Sequence, residues 1–451
     1  MFKKIVLSIL LFSGTPLLAQ EQTYSFTLEE AIEFAIDSSY TTINARRDIA
    51  IAIKQKWEAI SSGLPQINAD VSYQNLLKQP VTLIPGEITG GEPGTFVPVV
   101  FGTEQNANLV ATLDQLIFDG SYLVGLQAAD AFLDFSENAG EKAGLEVRRG
   151  VINAYGSVLL AEEIIDIFTR NKVNLEKNLF ETQKTFENGL AEEEDVEQLE
   201  ITLLDITTQL NNSKRSYILA KELFNVALGI DVAATVVLED TLDDLTQENI
   251  NLEFMETNFN IEENIDYKIA YNLTQQRDLE LKLENSFYLP RLTAFINYGT
   301  SSFSNDFDFF RSSQPWFQSS TLGVRMSVPI FSSGMRKSRS QQARIEVDKA
   351  ATNLQETIQN VQVEVNTARN NYLLAIETYK NNKRNLDLAE RVENKNEIKY
   401  SEGIATSFEL RQAQLQLYTA QQDYFFSMLE VVNAKADLET VLNTPQLDIN
   451  N

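Results

Sequence analysis

Tyr400-Ser401-Glu402-Gly403-Ile404-Ala405-Thr406-Ser407-Phe408-Glu409-Leu410 decides how the rest of the chain is read. A long helical pattern runs into this stretch, a glycine breaks it, and a second long helical pattern runs out. The same device occurs 214 residues earlier as Phe186-Glu187-Asn188-Gly189-Leu190-Ala191-Glu192-Glu193-Glu194-Asp195-Val196. Each stretch reads as the tight turn of a helical hairpin. Glycine supplies the positive φ that ends the first helix, and acids suit the positive end of the second.

Outward from the turns the repeat continues. Residues 121–187 and 335–401 carry helical periodicity without proline, and at 1.5 Å per residue each reaches about 100 Å. After the first turn Val196, Leu199, Leu203, Ile206 and Leu210 step by threes and fours. After the second, Leu410, Ala413, Leu417, Ala420 and Tyr424 keep the same rhythm at the 214-residue offset. A shared register of this kind is the mark of internal duplication.

Before each long helix the period changes from helical to alternating. Ile67, Ala69, Val71 and Tyr73 alternate with polar residues, and Leu109, Ala111 and Leu113 do so again. In the second half Leu292, Ala294, Ile296 and Tyr298, then Leu322, Val324, Met326 and Val328, repeat the pattern. The strands expected are therefore 65–74, 106–118, 290–299 and 320–331, with 75–105 as a loop. A short helix over 28–37 with Thr27 as its N-cap, and helices over 41–62 and 261–286, complete the order. Residues 1–20 read as a signal peptide, with Lys3 and Lys4 before a short apolar run. The mature protomer, 21–451, divides into repeat one (28–230), an acidic and exposed collar segment (231–260), repeat two (261–443) and a short tail (444–451).

Composition narrows the chemistry. The chain has no cysteine and no histidine, which removes thiolate and imidazole metal sites and the usual nucleophilic triads. No phosphate-binding glycine loop is present. A net charge of −27 argues against nucleic acid as a partner. No enzyme, no cofactor and no metal is expected.

Strands of about ten residues with one apolar and one polar face suit a membrane barrel, yet four strands cannot close, and open edges are not tolerated in lipid. Two chains are the minimum, and three give twelve strands. The competing reading is a coiled-coil structural or adhesive protein of the periplasm or surface, with a water-soluble sheet. It is disfavoured because a small sheet beside such long helices has little else to pack against.

In this order of elements the chain resembles the TolC family of outer-membrane efflux and secretion channels. The resemblance rests on the duplicated helix-strand-strand-helix pattern, the long helices, both glycine turns and the extra segment between the copies. It implies a homotrimer in the outer membrane of a Gram-negative cell. A twelve-stranded barrel would sit in the lipid, and an α-helical tunnel would cross the periplasm. Its role would be the exit duct of a tripartite efflux or type I secretion system. The turns would form the periplasmic end, where Gly189, Leu190, Ala191, Gly403, Ile404 and Ala405 meet an adaptor protein linked to an inner-membrane pump.

The resemblance also implies a gate. Tyr400 and Asp195 match a tyrosine and an aspartate that are linked in the closed state. Ala405 stands where the family's best-known member has an arginine in that link. Of two aspartates that narrow the entrance, one is Glu409 here and the other Gln412. Each has an ordinary alternative: Thr406-x-x-Glu409 is a capping box, and Asp195 suits a helix N-terminus. Tyr400 also fits plain hairpin packing. Glu192, Glu193 and Glu194 read as a solvated rim.

Overall fold

A computed structural model of the protein describes residues 23–251 and 259–444. The expected signal peptide and nearly all of the tail lie outside the described residues. The described residues form two compact units, one of residues 23–44, 141–251, 259–260 and 362–444 and the other of residues 45–140 and 261–361. No described helix is long and apolar enough to cross a membrane.

The second unit is built on a four-stranded antiparallel sheet. Its strands are β2 (Gln66–Asn75), β5 (Gln105–Phe118), β7 (Arg291–Ser304) and β8 (Phe317–Ser327), in the order β2-β5-β7-β8. β5 pairs with β7 from Gln105↔Ser304 to Phe118↔Leu292, so strands from the two repeats meet at the centre of the sheet. Register sorts the side chains by face. Ile67 lies opposite Leu113, Leu113 opposite Ile296, and Ile296 opposite Leu322, so these four share the apolar face. Asn68, Thr112, Asn297 and Thr321 line up in the same way on the polar face. The strands differ from the sequence reading at their ends. β7 runs to Ser304, because Thr300 to Ser304 keep their partners on β5. β8 stops at Ser327 rather than 331; Pro329 has no N–H to continue a ladder.

The segment 75–105, expected as a loop, holds a hairpin of its own. β3 (Val81–Pro85) pairs with β4 (Phe96–Val100), and a 3-10 turn (Gly86–Thr89) follows β3. Gly and Pro cluster between the two strands, at Gly86, Gly90, Gly91, Pro93 and Gly94, while Val81-Thr82-Leu83-Ile84 and Phe96-Val97-Pro98-Val99-Val100 have the β-branched and aromatic composition of strands.

Helices lead into and out of the sheet. α2 (Tyr40–Ser61) precedes β2, α3 (Gly120–Glu187) follows β5, α6 (Ile265–Ser286) precedes β7, and α7 (Met335–Ser401) follows β8. The junctions are tight. A Cβ on Gly63 would lie 2.3 Å from the Tyr122 ring, and one on Gly120 would lie 2.6 Å from Leu289. Arg336 secures the last junction by donating to the Pro329 carbonyl at 2.9 Å, with its guanidinium 5.1 Å from the Tyr288 ring centre.

The other unit packs the remaining lengths of α3 and α7 with α4 (Glu193–Leu228) and α8 (Ser407–Val441). Phe168, Leu175, Leu199, Ile206, Leu210, Leu417 and Tyr418 are buried in one cluster, drawn from three of these helices. Each such aliphatic or aromatic side chain contributes about 1.5–3 kcal/mol by leaving water. Within the helical packing Asn171 donates to Gln421 at 2.9 Å. A buried amide pair of this sort fixes register, since any slip leaves both unpaired.

The segment read as an exposed acidic collar is in part buried. β1 (Thr23–Phe26) pairs in parallel with β6 (Thr235–Leu238), and α5 (Leu242–Glu248) follows. Val236, Leu242 and Leu245 are buried, and Asp240 accepts from the Tyr155 hydroxyl at 2.9 Å and from the Leu28 N–H at 2.7 Å. Leu28 opens α1 (Leu28–Ser38), which carries a complete capping box between Thr27 and Glu30.

The paired helical turns as candidate functional site

Both turns end their first helix in the same way. Gly189 has φ 73° and Gly403 has φ 71°. The Gly189 N–H donates to Phe186 at 2.8 Å and the Leu190 N–H to Thr185 at 3.0 Å. The second turn repeats this with Gly403 to Tyr400 at 3.0 Å and Ile404 to Lys399 at 2.8 Å. This is the Schellman closure, and it requires the left-handed glycine. One apolar residue is left outside at each tip: Leu190 is 81% exposed and Ile404 76%. A side chain of that kind in water adds nothing to the stability of the turn.

Between the turns lies a cleft of about 1470 Å³, lined among others by Thr182, Leu190, Asp195, Tyr400, Ala405 and Ser407. The polar contacts here differ from the expected gate. Tyr400 does not reach Asp195; its hydroxyl is paired with the Thr182 hydroxyl at 2.9 Å. Asp195 accepts instead from the Ser407 hydroxyl, and its second oxygen takes the Glu192 N–H at 3.2 Å. Within the chain two hydroxyl links therefore join the turns, each running from repeat two to repeat one. Burial raises the Tyr400 phenol above its ordinary value, with the Asp195 charge adding to the effect. At neutral pH it is thus a neutral donor or acceptor.

Glu409 completes the capping box: Thr406 N–H donates to it at 2.9 Å, and Glu409 N–H donates to the Thr406 hydroxyl at 3.2 Å. These bonds from Thr406 hold its carboxyl below the ordinary glutamate range. Gln412 and Glu409 are exposed and stand outside the cleft lining. Glu192, Glu193 and Glu194 are exposed as well.

Two polar partners, Thr182 and Ser407, escaped the sequence reading. Thr182 continues the seven-residue spacing of Phe168 and Leu175, so a hydroxyl at the next seam position was the available signal. Ser407 read as an ordinary first residue of a helix; nothing local distinguishes it. Among the described residues no group of three or more acidic side chains could hold a metal ion.

Fold and turns together define a class of duplicated, strand-bearing helical channel subunits, and comparison with known proteins agrees. Residues 273–444 match the family model of the outer membrane efflux protein. The chain is 24% identical over 338 residues to the outer membrane protein TolC of Vibrio cholerae, covering 70% of this chain and 72% of that one. Its fold matches the Campylobacter jejuni CmeC outer membrane channel with a TM-score of 0.73 at 16% identity, over 92% of this chain and 85% of that one. It matches the Vibrio cholerae outer membrane protein VceC at 0.70 and 15% identity, over 92% and 95%. Residues 273–444 thus carry the pattern of the outer membrane efflux proteins, and the chain as a whole is similar to TolC and has the fold of the outer-membrane channels, which supports an exit duct of the outer membrane that extends into the periplasm.

Proposed function

We propose that three copies of this chain form one conduit, closed in the membrane by a twelve-stranded barrel. It would be opened at the paired helical turns when an adaptor protein, carrying an inner-membrane pump, docks there. The observation that carries this reading is the sheet. Among the described residues the outer edges of β2 and β8 have no partner strand, while Ile67, Leu113, Ile296 and Leu322 form an apolar row across one face of the sheet. In hydrocarbon each unpaired backbone group costs several kcal/mol, so the free edges must meet those of other copies. Light scattering of the detergent-extracted protein tests it: a trimer is expected, and a stable monomer without detergent would sink the proposal.

At the turns, Leu190 and Ile404 supply the apolar contact for the adaptor, flanked by Gly189, Ala191, Gly403 and Ala405. Tyr400 and Asp195 hold the closed arrangement through Thr182 and Ser407. Glu409 and Gln412 face the entrance, and three Glu409 carboxylates favour cations. Glu409→Gln, measured in planar bilayers, is expected to lower cation selectivity; unchanged selectivity leaves Glu409 as a helix cap alone.

A further inference from the structure

The repeats alternate across the sheet. β2 and β5 come from repeat one and β7 and β8 from repeat two, so the β5–β7 ladder is a seam between unlike repeats. When copies close on one another, the free edge of β8 meets the free edge of β2 of the next copy, and again repeat two meets repeat one. Duplication makes this second seam the counterpart of the first, and the two can be matched residue by residue. Leu64-Pro65 before β2 returns 225 residues later as Leu289-Pro290 before β7, and Ile117-Phe118 at the end of β5 returns 213 later as Ile330-Phe331. The ladders give the same match: Ile67 pairs with Leu113, while Leu292, 225 beyond Ile67, pairs with Met326, 213 beyond Leu113.

In the seam within the chain Ala111 pairs with Tyr298, Thr112 with Asn297 and Leu113 with Ile296. Carried to the free edges, the same register pairs Val324 with Tyr73, Arg325 with Ser72 and Met326 with Val71 of the next copy. Apolar then meets apolar on one face and polar meets polar on the other, which a slip of one residue would reverse. Asp70 of the next copy comes to lie diagonal to Arg325, within reach of a long side chain. Among the described residues neither has an ion-pair partner within its own chain. The Arg325 guanidinium lies 5.2 Å from the centre of the Phe295 ring, a contact that leaves its in-plane N–H groups for a carboxylate.

A slip of two residues keeps the faces, and the start of the long helices decides against it. A Cβ on Gly120, which opens α3, would lie 2.6 Å from Leu289 of the other repeat. The counterparts at the free edges are Gly334, 214 beyond Gly120, where a Cβ would meet nothing within 4 Å, and the exposed Leu64. A two-residue slip would carry Leu64 of the next copy ~7 Å from that empty place.

We infer that β8 joins β2 of the next copy in the register Val324 to Tyr73, Arg325 to Ser72 and Met326 to Val71. An ion pair between Arg325 and Asp70 of the next copy, and Leu64 of that copy seated over Gly334, hold the seam. This rests on the three-copy closure proposed above and specifies how its edges meet. The ion pairs, one at each seam, lie on the polar face, which in a membrane barrel lines the lumen.

The chain's lack of cysteine makes the test direct. In outer membranes holding the full-length protein, Val324→Cys with Tyr73→Cys is expected to give covalent dimers and trimers on mild oxidation. Two intervening strands keep the two cysteines of one chain at least roughly 14 Å apart, too far for an internal disulfide. Val324→Cys with Val71→Cys, or with Asn75→Cys, lies two residues out of register on the same face and is expected to give at least about fivefold less. Arg325→Asp is expected to lower the temperature at which detergent-purified trimers dissociate, because it sets two acids side by side. Adding Asp70→Arg to it is expected to restore that temperature. Intact trimers that cross-link through Val71→Cys or Asn75→Cys instead, or not at all, overturn the register and leave the three-copy closure standing. A charge exchange that restores nothing overturns the ion pair. Monomers in detergent overturn closure and register together.

Discussion

The two turns share a backbone and differ in their side chains. Both close on a left-handed glycine with the same pair of hydrogen bonds, and both leave one large aliphatic residue exposed. Beyond that the copies diverge. Repeat two has Tyr400, Ser407 and Glu393 where repeat one, at the same offset, has Phe186, Glu193 and Leu179. Repeat one supplies the partners, Thr182 and Asp195, and both hydroxyl links run toward it from repeat two. Duplication thus built the scaffold twice, and divergence built the pair of hydroxyl links once. An exact repeat would have no such pair.

The largest expected effect removes what the copies share. Leu190→Asp together with Ile404→Asp should lower the host's resistance to a panel of toxic compounds to that of a deletion strain, with trimers intact. Retained resistance would mean that the tips do not carry docking. Next come the links that the copies do not share. Asp195→Ala strips a charged acceptor from the partly buried Ser407 contact, a hydrogen bond worth about 1.5–3 kcal/mol. It should raise the open population, read as bilayer conductance, by roughly tenfold or more. Tyr400→Phe, which makes that position resemble Phe186, removes a neutral bond worth about 0.5–1.5 kcal/mol and should give a smaller rise, about threefold. If Tyr400→Phe proved the stronger of the two, the ranking of the links would be reversed.

The smallest effect is on pH dependence. Burial, reinforced by Glu397, raises the Glu393 carboxyl above its ordinary value of 4.5. Its contribution to stability is therefore complete below that value and is lost as pH rises through the raised one. Amide protection factors near residues 393–418, with the intrinsic base catalysis of exchange divided out, should be higher in mild acid than at neutral pH. Glu393→Leu, the repeat-one residue type, should abolish that dependence. Glu409 does not interfere, since its lowered carboxyl loses its capping role only below 4.5.

Much of the fold was legible because its signals are periodic. Ile67 to Tyr73 and Leu322 to Val328 alternate without interruption, and the glycine turns interrupt two long heptad patterns at equal offsets. The β3–β4 hairpin was hidden because Pro85 and Pro98 lie within its short strands and glycines fill the turn between them, and those residues suggest a loop. The site was legible as a place and less so as a set of contacts. Tyr400 and Asp195 do line one cleft, but each is satisfied by a small hydroxyl that periodicity cannot single out. A tyrosine hydroxyl takes whichever partner lies nearest when the helices pack, and that was Thr182.

The seam at the centre of the sheet has a consequence for biogenesis. β5 finds its long partner in β7 only after residues 291–304 have been made and exported. Until then β2 and β5 are an amphipathic pair with an unpaired long edge in an aqueous compartment, the kind of intermediate that aggregates. Pairing across so many residues is also slow, since a large loop must close before any contact repays it. The chain should therefore depend on periplasmic holdases for most of its synthesis, and that dependence should ease once the second repeat emerges.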